Sequence, residues 1–381
     1  MSDEAFTLSN ARLVLRDSVQ HGWLRVEDGR ILEFGDGDPT GPSLNVGGDY
    51  ILPGLIELHT DHLEAHIEPR PKVQWEPKAA VLAYDAQIVG AGITTVFDSL
   101  RVGALTHRDG VSKALHALAS AISDLKGAGL LRADHLTHLR CEIATPDVVE
   151  EARSYMAERD VQLVSLMDHT PGQRQFRDMD KMRTYYQRHG LTSEEDFSAF
   201  VSERIEMHAR YAQEHRKALV RLAQAQGAAI ASHDDATLDQ VAEAIDDRVS
   251  IAEFPTTLEA ATASRAANIK VMMGAPNLVR GGSHSGNIAA EDLARAGALE
   301  ILSSDYVPGS LLMAAFDLPR RVESITLPQA VAMVTRNPAE ATGLSDRGEI
   351  AADLRADIIQ VAVHDRTPSV RRAWRAGARV F

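Results

Sequence analysis

The residues best suited to chemistry are histidines and carboxylates that follow short apolar runs. His59-Thr60-Asp61 comes directly after Leu55-Ile56-Glu57-Leu58. Residues i and i+2 of a strand project to one side, so this imidazole and this carboxylate can grip a single ion. Glu142 ends another apolar run, where an unpaired carboxylate is costly to bury and a cation is the simplest partner. His169 follows Ser165-Leu166-Met167-Asp168, and His233 follows Ile230-Ala231-Ser232. Taken singly, each suits a satisfied core histidine; taken together at equivalent run ends, they read as ligands. Asp305 ends Ile301-Leu302-Ser303-Ser304, where a carboxylate can hold an ion, take a proton from water or cap a helix. A set of imidazole and carboxylate donors suits zinc, manganese or iron better than calcium, with one or two ions per chain.

The surrounding pattern says what positions them. Apolar runs at 55–59, 93–98, 136–142, 162–168, 229–233, 250–254, 270–274 and 300–305 alternate with segments of helical periodicity at 110–126, 194–226, 238–245 and 258–267. Strands that are continuously apolar have both faces covered. Repeated strand–helix units of this kind predict an α/β fold, a (β/α)8 barrel, whose functional groups stand at the C-terminal strand ends. Residues 1–50 and 345–381 read differently, as short alternating strands with glycine turns. They predict one small β-domain assembled from both termini around a catalytic domain at 51–344. The polar stretch 174–190, RQFRDMDKMRTYYQRHG, reads as a lid over the site or as a solvated loop.

Composition narrows the function. The chain has 381 residues, 44% of them apolar, which is enough to bury a full core. Its formal net charge of −14 argues against a general affinity for nucleic acid or for anionic membranes. A single cysteine, Cys141, permits no internal disulfide and suits a reducing compartment. The N-terminus has no signal-peptide pattern, and no run approaches the ~18 apolar residues of a membrane span. A cytoplasmic location is expected.

The order of these groups resembles the amidohydrolase superfamily: a His-x-x triplet, a bridging acid, two later histidines and a final Asp. The blocks ELHTDHLEAHIEPRP, SLMDHTPGQRQF, ASHDDAT, EFPTTLEAA, MGAPNLVRGGSHSGN and ILSSDYVPGSLL resemble, more narrowly, the triphosphate diphosphatases of the carbon–phosphorus lyase pathway of phosphonate use. The resemblance implies a distorted (β/α)8 TIM barrel with a β-sandwich built from both termini. It implies hydrolysis of alpha-D-ribose 1-methylphosphonate 5-triphosphate to the 5-phosphate and pyrophosphate. By position, His59, Asp61, Glu142, His169 and His233 would be metal ligands, and Asp305 both ligand and base. A homodimer and other enzymes of the phosphonate pathway are the partners it implies. Two departures stand out: the superfamily usually has histidine where this chain has Asp61, and often a carboxylated lysine where it has Glu142.

A triphosphate requires cations or backbone donors to spread its charge. Arg70, Lys72, Arg101, Arg140, Arg174, Arg177 and the segment Arg280-Gly281-Gly282-Ser283-His284 are the candidates. Two other readings fit the same residues: an amide or cyclic-amide hydrolase on the same scaffold, and a non-catalytic assembly scaffold. Basic groups near the ions separate the first from a phosphohydrolase. A retained ligand set speaks against the second.

Overall fold

In the computed structural model the described residues are 5–70, 73–103, 111–176, 179, 182–183, 193–283 and 286–381. Strands from both ends of the chain form one mixed sheet. They are β1 (Phe6–Val14), β2 (Val19–Glu27), β3 (Arg30–Asp36), β4 (Leu44–Asn45) and β5 (Tyr50–Pro53), joined by β14 (Ile358–His364), β15 (Thr367–Arg375) and β16 (Ala378–Arg379). The order is β16-β15-β14-β5-β1-β2-β3, with β4 on β1. Leu8, Leu13, Leu24, Ile31, Ile51, Ile358 and Trp374 give it an apolar core of its own. Residues from distant parts of the chain pair because β5 leads straight into the barrel while β14 lies antiparallel beside it, Ile359 opposite Leu52.

The second sheet is parallel and runs in unbroken chain order: β6 (Leu55–Thr60), β7 (Ile93–Val102), β8 (Asp134–Glu142), β9 (Leu163–Met167), β10 (Ala229–His233), β11 (Ile251–Glu253), β12 (Lys270–Gly274) and β13 (Ile301–Ser303). A bridge between Thr60 and Asp305 draws its two edges together, which makes the barrel. Ile56, Leu58, Phe97, Leu163, Ala231, Ile251, Met272 and Ile301 pack as one cluster drawn from these strands. A larger cluster fills the layer between strands and helices. The expected eight strands are all present. The last is shorter than its apolar run predicts, because Asp305 turns out of extended geometry at φ +53.

The helices are α1 (His62–Ile67), α2 (Pro77–Gly90), α3 (Val111–Gly127), α4 (Val148–Glu158), α5 (Glu194–Gln226), α6 (Leu238–Asp246), α7 (Leu258–Ala266), α8 (Ala275–Arg280), α9 (Ala290–Arg295), α10 (Ser310–Arg321), α11 (Leu327–Ala332) and α12 (Arg336–Ala341). The 33-residue α5 begins at Ser193, whose side chain accepts from the Asp196 N–H, and carries Glu194, Glu195 and Asp196 in its first turn. Those acids suit the positive end of the helix dipole. It stops at Gly227, where φ is +70. Its inner face carries Arg204 toward the barrel mouth. Arg174–Phe176 forms one 3-10 turn. Most of the predicted lid, including Arg177, lies outside the described residues.

The barrel and the terminal segment are tied by charge at Asp134, the first residue of β8. Arg347 Nη1 and Arg355 Nη1 both donate to its Oδ2, at 2.7 and 3.0 Å. Burial opposes ionisation there, but the two guanidinium groups win and hold the carboxyl at about 2. No helix among the described residues is long and apolar enough to cross a membrane.

Candidate active site

Strand direction decides where the site forms. All eight barrel strands run parallel, so their last residues converge on one rim. A cavity of about 480 Å³ opens there, and Asp61, Glu142, His169, His233 and Asp305 line it. His59 lies just behind the wall, buried, with its Nε2 4.0 Å from Asp61 Oδ1. Asp234 also lines the cavity, its Oδ2 3.3 Å from His233 Nε2. Asp234 and Asp305 both hold left-handed backbone, at φ +56 and +53. Aspartate tolerates that region better than most residues, and such conformations gather at functional sites.

Each histidine is held by a carboxylate. His169 Nδ1 lies 2.6 Å from Glu142 Oε2, and the His169 N–H donates to Glu142 Oε1 at 3.0 Å. Arg204, from α5, donates to the same Oε1 at 3.1 Å. His59 Nδ1 lies 3.2 Å from Glu253 Oε1, and His233 Nδ1 lies 3.0 Å from Glu253 Oε2. Burial would raise the Glu253 pKa, but the neighbouring imidazoles of His59 and His138 and the hydrogen bonds from His233 and His59 outweigh it and hold the group well below its ordinary value. Burial pushes His59 down to about 3, against the attraction of Glu253. At neutral pH it is therefore an uncharged ring.

Burial and the nearby Arg140 charge oppose a charge on His233, yet Asp234 and Glu253 outweigh them and raise its pKa. His169, His233 and Asp234 offer ligand atoms within 4.8 Å of one another. Converging imidazole nitrogens and carboxylate oxygens are a donor set that fits a divalent cation of the zinc, manganese or iron type. The second group of close ligand atoms, His59, His138 and Glu253, is fully buried and lies outside the cavity lining.

The basic residues separate into those that face the cavity and those that do not. Arg140 lines it, is buried, and forms an ion pair with Asp61. Arg101 lines it at the rim, with Nε 3.2 Å from Glu64. Arg174 is placed elsewhere: it is buried behind β10, where Nη1 donates to the His233 carbonyl at 2.8 Å and to Asp235 at 2.5 Å. Its charge is committed to the protein, and it lines a different cavity. Arg280 is exposed at the end of α8, with Nη1 3.5 Å from the hydroxyl of the lining residue Tyr306. Arg70 is exposed and does not line the cavity. Lys72 and His284 lie outside the described residues.

Sequence reasoning passed over Glu253, His138, Asp234 and Arg204. Glu253 carried the right signal, since it ends an apolar strand as Glu142 does. Asp234 follows a named histidine directly. His138 sits mid-strand, and Arg204 sits within a helix, where nothing local shows which way a basic side chain will be buried.

A sequence model described as "Amidohydrolase family" matches residues 93–381. The alpha-D-ribose 1-methylphosphonate 5-triphosphate diphosphatase of Escherichia coli (strain K12) is 44% identical over 378 residues, spanning 98% of this chain and 100% of that protein. Among solved structures, N-isopropylammelide isopropylaminohydrolase from Burkholderia multivorans is similar with a TM-score of 0.66 at 17% identity, over 99% of this chain and 98% of that one. The N-acetyl-D-glucosamine-6-phosphate deacetylase of Mycobacterium smegmatis gives a TM-score of 0.64 at 18% identity, over 99% and 100%. At such identities the two structures speak to the fold alone.

Proposed function

This chain belongs to the amidohydrolase family, and we propose that it hydrolyses alpha-D-ribose 1-methylphosphonate 5-triphosphate to alpha-D-ribose 1-methylphosphonate 5-phosphate and pyrophosphate, with a divalent cation as cofactor. The observation that carries the reading is one cavity in which imidazoles, carboxylates and a buried guanidinium meet. The 44% identity to an enzyme of that name, along 98% of this chain, supports the substrate. A substrate without anionic groups has no need for Arg140 and Arg101 at the mouth. A polyphosphate does.

His59, Asp61, Glu142, His169 and His233 would hold the ion, with Asp234 and Asp305 beside it. When bound, zinc or a similar ion supplies Lewis acidity and lowers the pKa of water. The protein's own groups do the rest. Asp305 accepts the proton of the attacking water. Arg140, in a desolvated wall, pairs with phosphate oxygens and spreads the charge that builds on the departing pyrophosphate. Arg101 meets the outer phosphates at the rim. The catalytic barrel lies within 51–344, flanked by 1–50 and 345–381, with β5 paired into the terminal sheet. A cytoplasmic location agrees with the buried free thiol of Cys141.

The test is metal analysis of the purified protein together with product analysis on the ribose 5-triphosphate. Pyrophosphate released once per turnover, and lost on chelation, is the expected result. Orthophosphate as the sole inorganic product, or turnover without metal, overturns the reading.

A further inference from the structure

We infer that Glu253 is a positioning residue: its two carboxylate oxygens fix the tautomer and the aim of His59 and His233 at once. The inference rests on the reading that the site holds a divalent cation.

Glu253 is fully buried at the end of β11. An ionised carboxylate only accepts hydrogen bonds. His59 Nδ1 at 3.2 Å from Oε1 and His233 Nδ1 at 3.0 Å from Oε2 must therefore both be donors. A neutral ring that carries its proton on Nδ1 presents a bare lone pair at Nε2. Each Nε2 faces a carboxylate that lines the cavity, Asp61 in one case and Asp234 in the other. Hung from one planar group, the two rings lie nearly parallel, 21° apart with centroids separated by 5.6 Å. Ser165 Oγ donates to Oε2 at 2.5 Å and keeps the carboxylate from rotating.

The same residue could be taken for a ligand, because Glu253, His59 and His138 have ligand atoms close together. The hydrogen bonds argue otherwise. Both Glu253 oxygens already accept from imidazole or hydroxyl donors. His138 is engaged on both nitrogens, Nδ1 with the Leu58 carbonyl at 2.8 Å and Nε2 with Ser165 Oγ at 2.6 Å. Ser165 links His138 to Glu253, and the hydrogen-bonded group anchors His59 and His233 from behind. Carboxylates in this relation to a metal-binding histidine set ring orientation and basicity.

Glu253→Gln tests the inference at constant shape. An amide has one acceptor and one donor end, so it can satisfy only one Nδ1–H. The other ring must take the opposite tautomer and point a proton into the cavity. Nitrogen-15 spectra of histidine-labelled, metal-free protein at alkaline pH should show His59 and His233 protonated on Nδ1 in the parent, and one of them switched in the variant. Zinc affinity, read by competition with a chelating dye, should fall about 10- to 100-fold. Stoichiometry should be restored at saturating zinc, and the metal-free melting temperature should stay close to the parent's. Unchanged tautomers with affinity within about threefold of the parent overturn the inference. So does a lost equivalent of zinc at saturation, which makes Glu253 a ligand. If the variant does not fold, the parent spectrum decides alone, since Nε2–H on either ring contradicts the inference. A parent that binds no divalent metal overturns the proposed function, while its tautomers still report on Glu253.

Discussion

Asp305 and His59 are joined main chain to main chain: the Asp305 N–H donates to the His59 carbonyl at 3.1 Å. The Asp61 N–H returns a bond to the Asp305 carbonyl at 2.9 Å. Glu57 reinforces the seam, accepting from the backbone N–H groups of His59 and Ser304. The joint that closes the barrel therefore also sets the spacing between the proposed base and two proposed ligands.

Asp305→Asn should leave this joint intact, because asparagine tolerates the left-handed φ of +53. It removes the proton acceptor. Turnover should fall by about 10²- to 10⁴-fold, the usual scale of general-base catalysis. The melting temperature of the metal-free protein should be unchanged. Turnover within tenfold of the parent, at unchanged metal content, would remove Asp305 from the base role.

Arg140→Lys keeps the charge but loses the planar fork that can meet Asp61 and a phosphate together. Its effect should appear chiefly in KM for the triphosphate, raised about tenfold or more, on the scale of one charge-assisted hydrogen bond. Steady-state kinetics at fixed metal decide it. An unaltered KM would place the substrate phosphates elsewhere.

Arg174 gives the opposite expectation. Its guanidinium is spent on Asp235 and the His233 carbonyl. Arg174→Met should cost about 3–5 kcal/mol, because Asp235 is left buried and unpaired. The double variant Arg174→Met/Asp235→Asn should recover much of that loss in urea unfolding, with KM close to the parent's. A large KM defect in the double variant would return Arg174 to the substrate.

Stability should depend on pH through His135. The ring is buried, with Nδ1 2.9 Å from Asp98 and Nε2 3.3 Å from Asp85. Burial opposes its charge, but the two carboxylates raise its pKa from 6.5 to about 9. The folded state thus binds this proton more tightly than the unfolded chain does. The stabilisation is fully present below about pH 6.5 and fades as pH rises through about 9. It amounts to on the order of 3 kcal/mol at most. Urea unfolding at several pH values should show that decline in the parent and a flatter profile in His135→Gln. Parallel profiles would mean that His135 does not carry the dependence.

Much of this architecture is legible in the sequence because periodicity is local. A continuous apolar run dictates a strand covered on both faces, and the polar residue that ends it is placed at the rim by chain direction alone. His59, Asp61, Glu142, His169, His233 and Asp305 could be named for that reason. Glu253 obeyed the same rule and was passed over, because a lone carboxylate between Ile251-Ala252 and Phe254-Pro255, with no histidine beside it, does not stand out as a ligand would.

What tertiary structure decided is which charge meets which. Arg140 and Arg174 are both arginines at the ends of barrel units, yet one faces the cavity and the other is consumed behind β10. Arg204 reaches Glu142 only because α5, far along the chain, packs beside the end of β8. Glu253 gathers His59 and His233 only because the barrel closes. Side-chain type sets what a group can do. Its partner depends on long-range closure, which no window of neighbouring residues encodes.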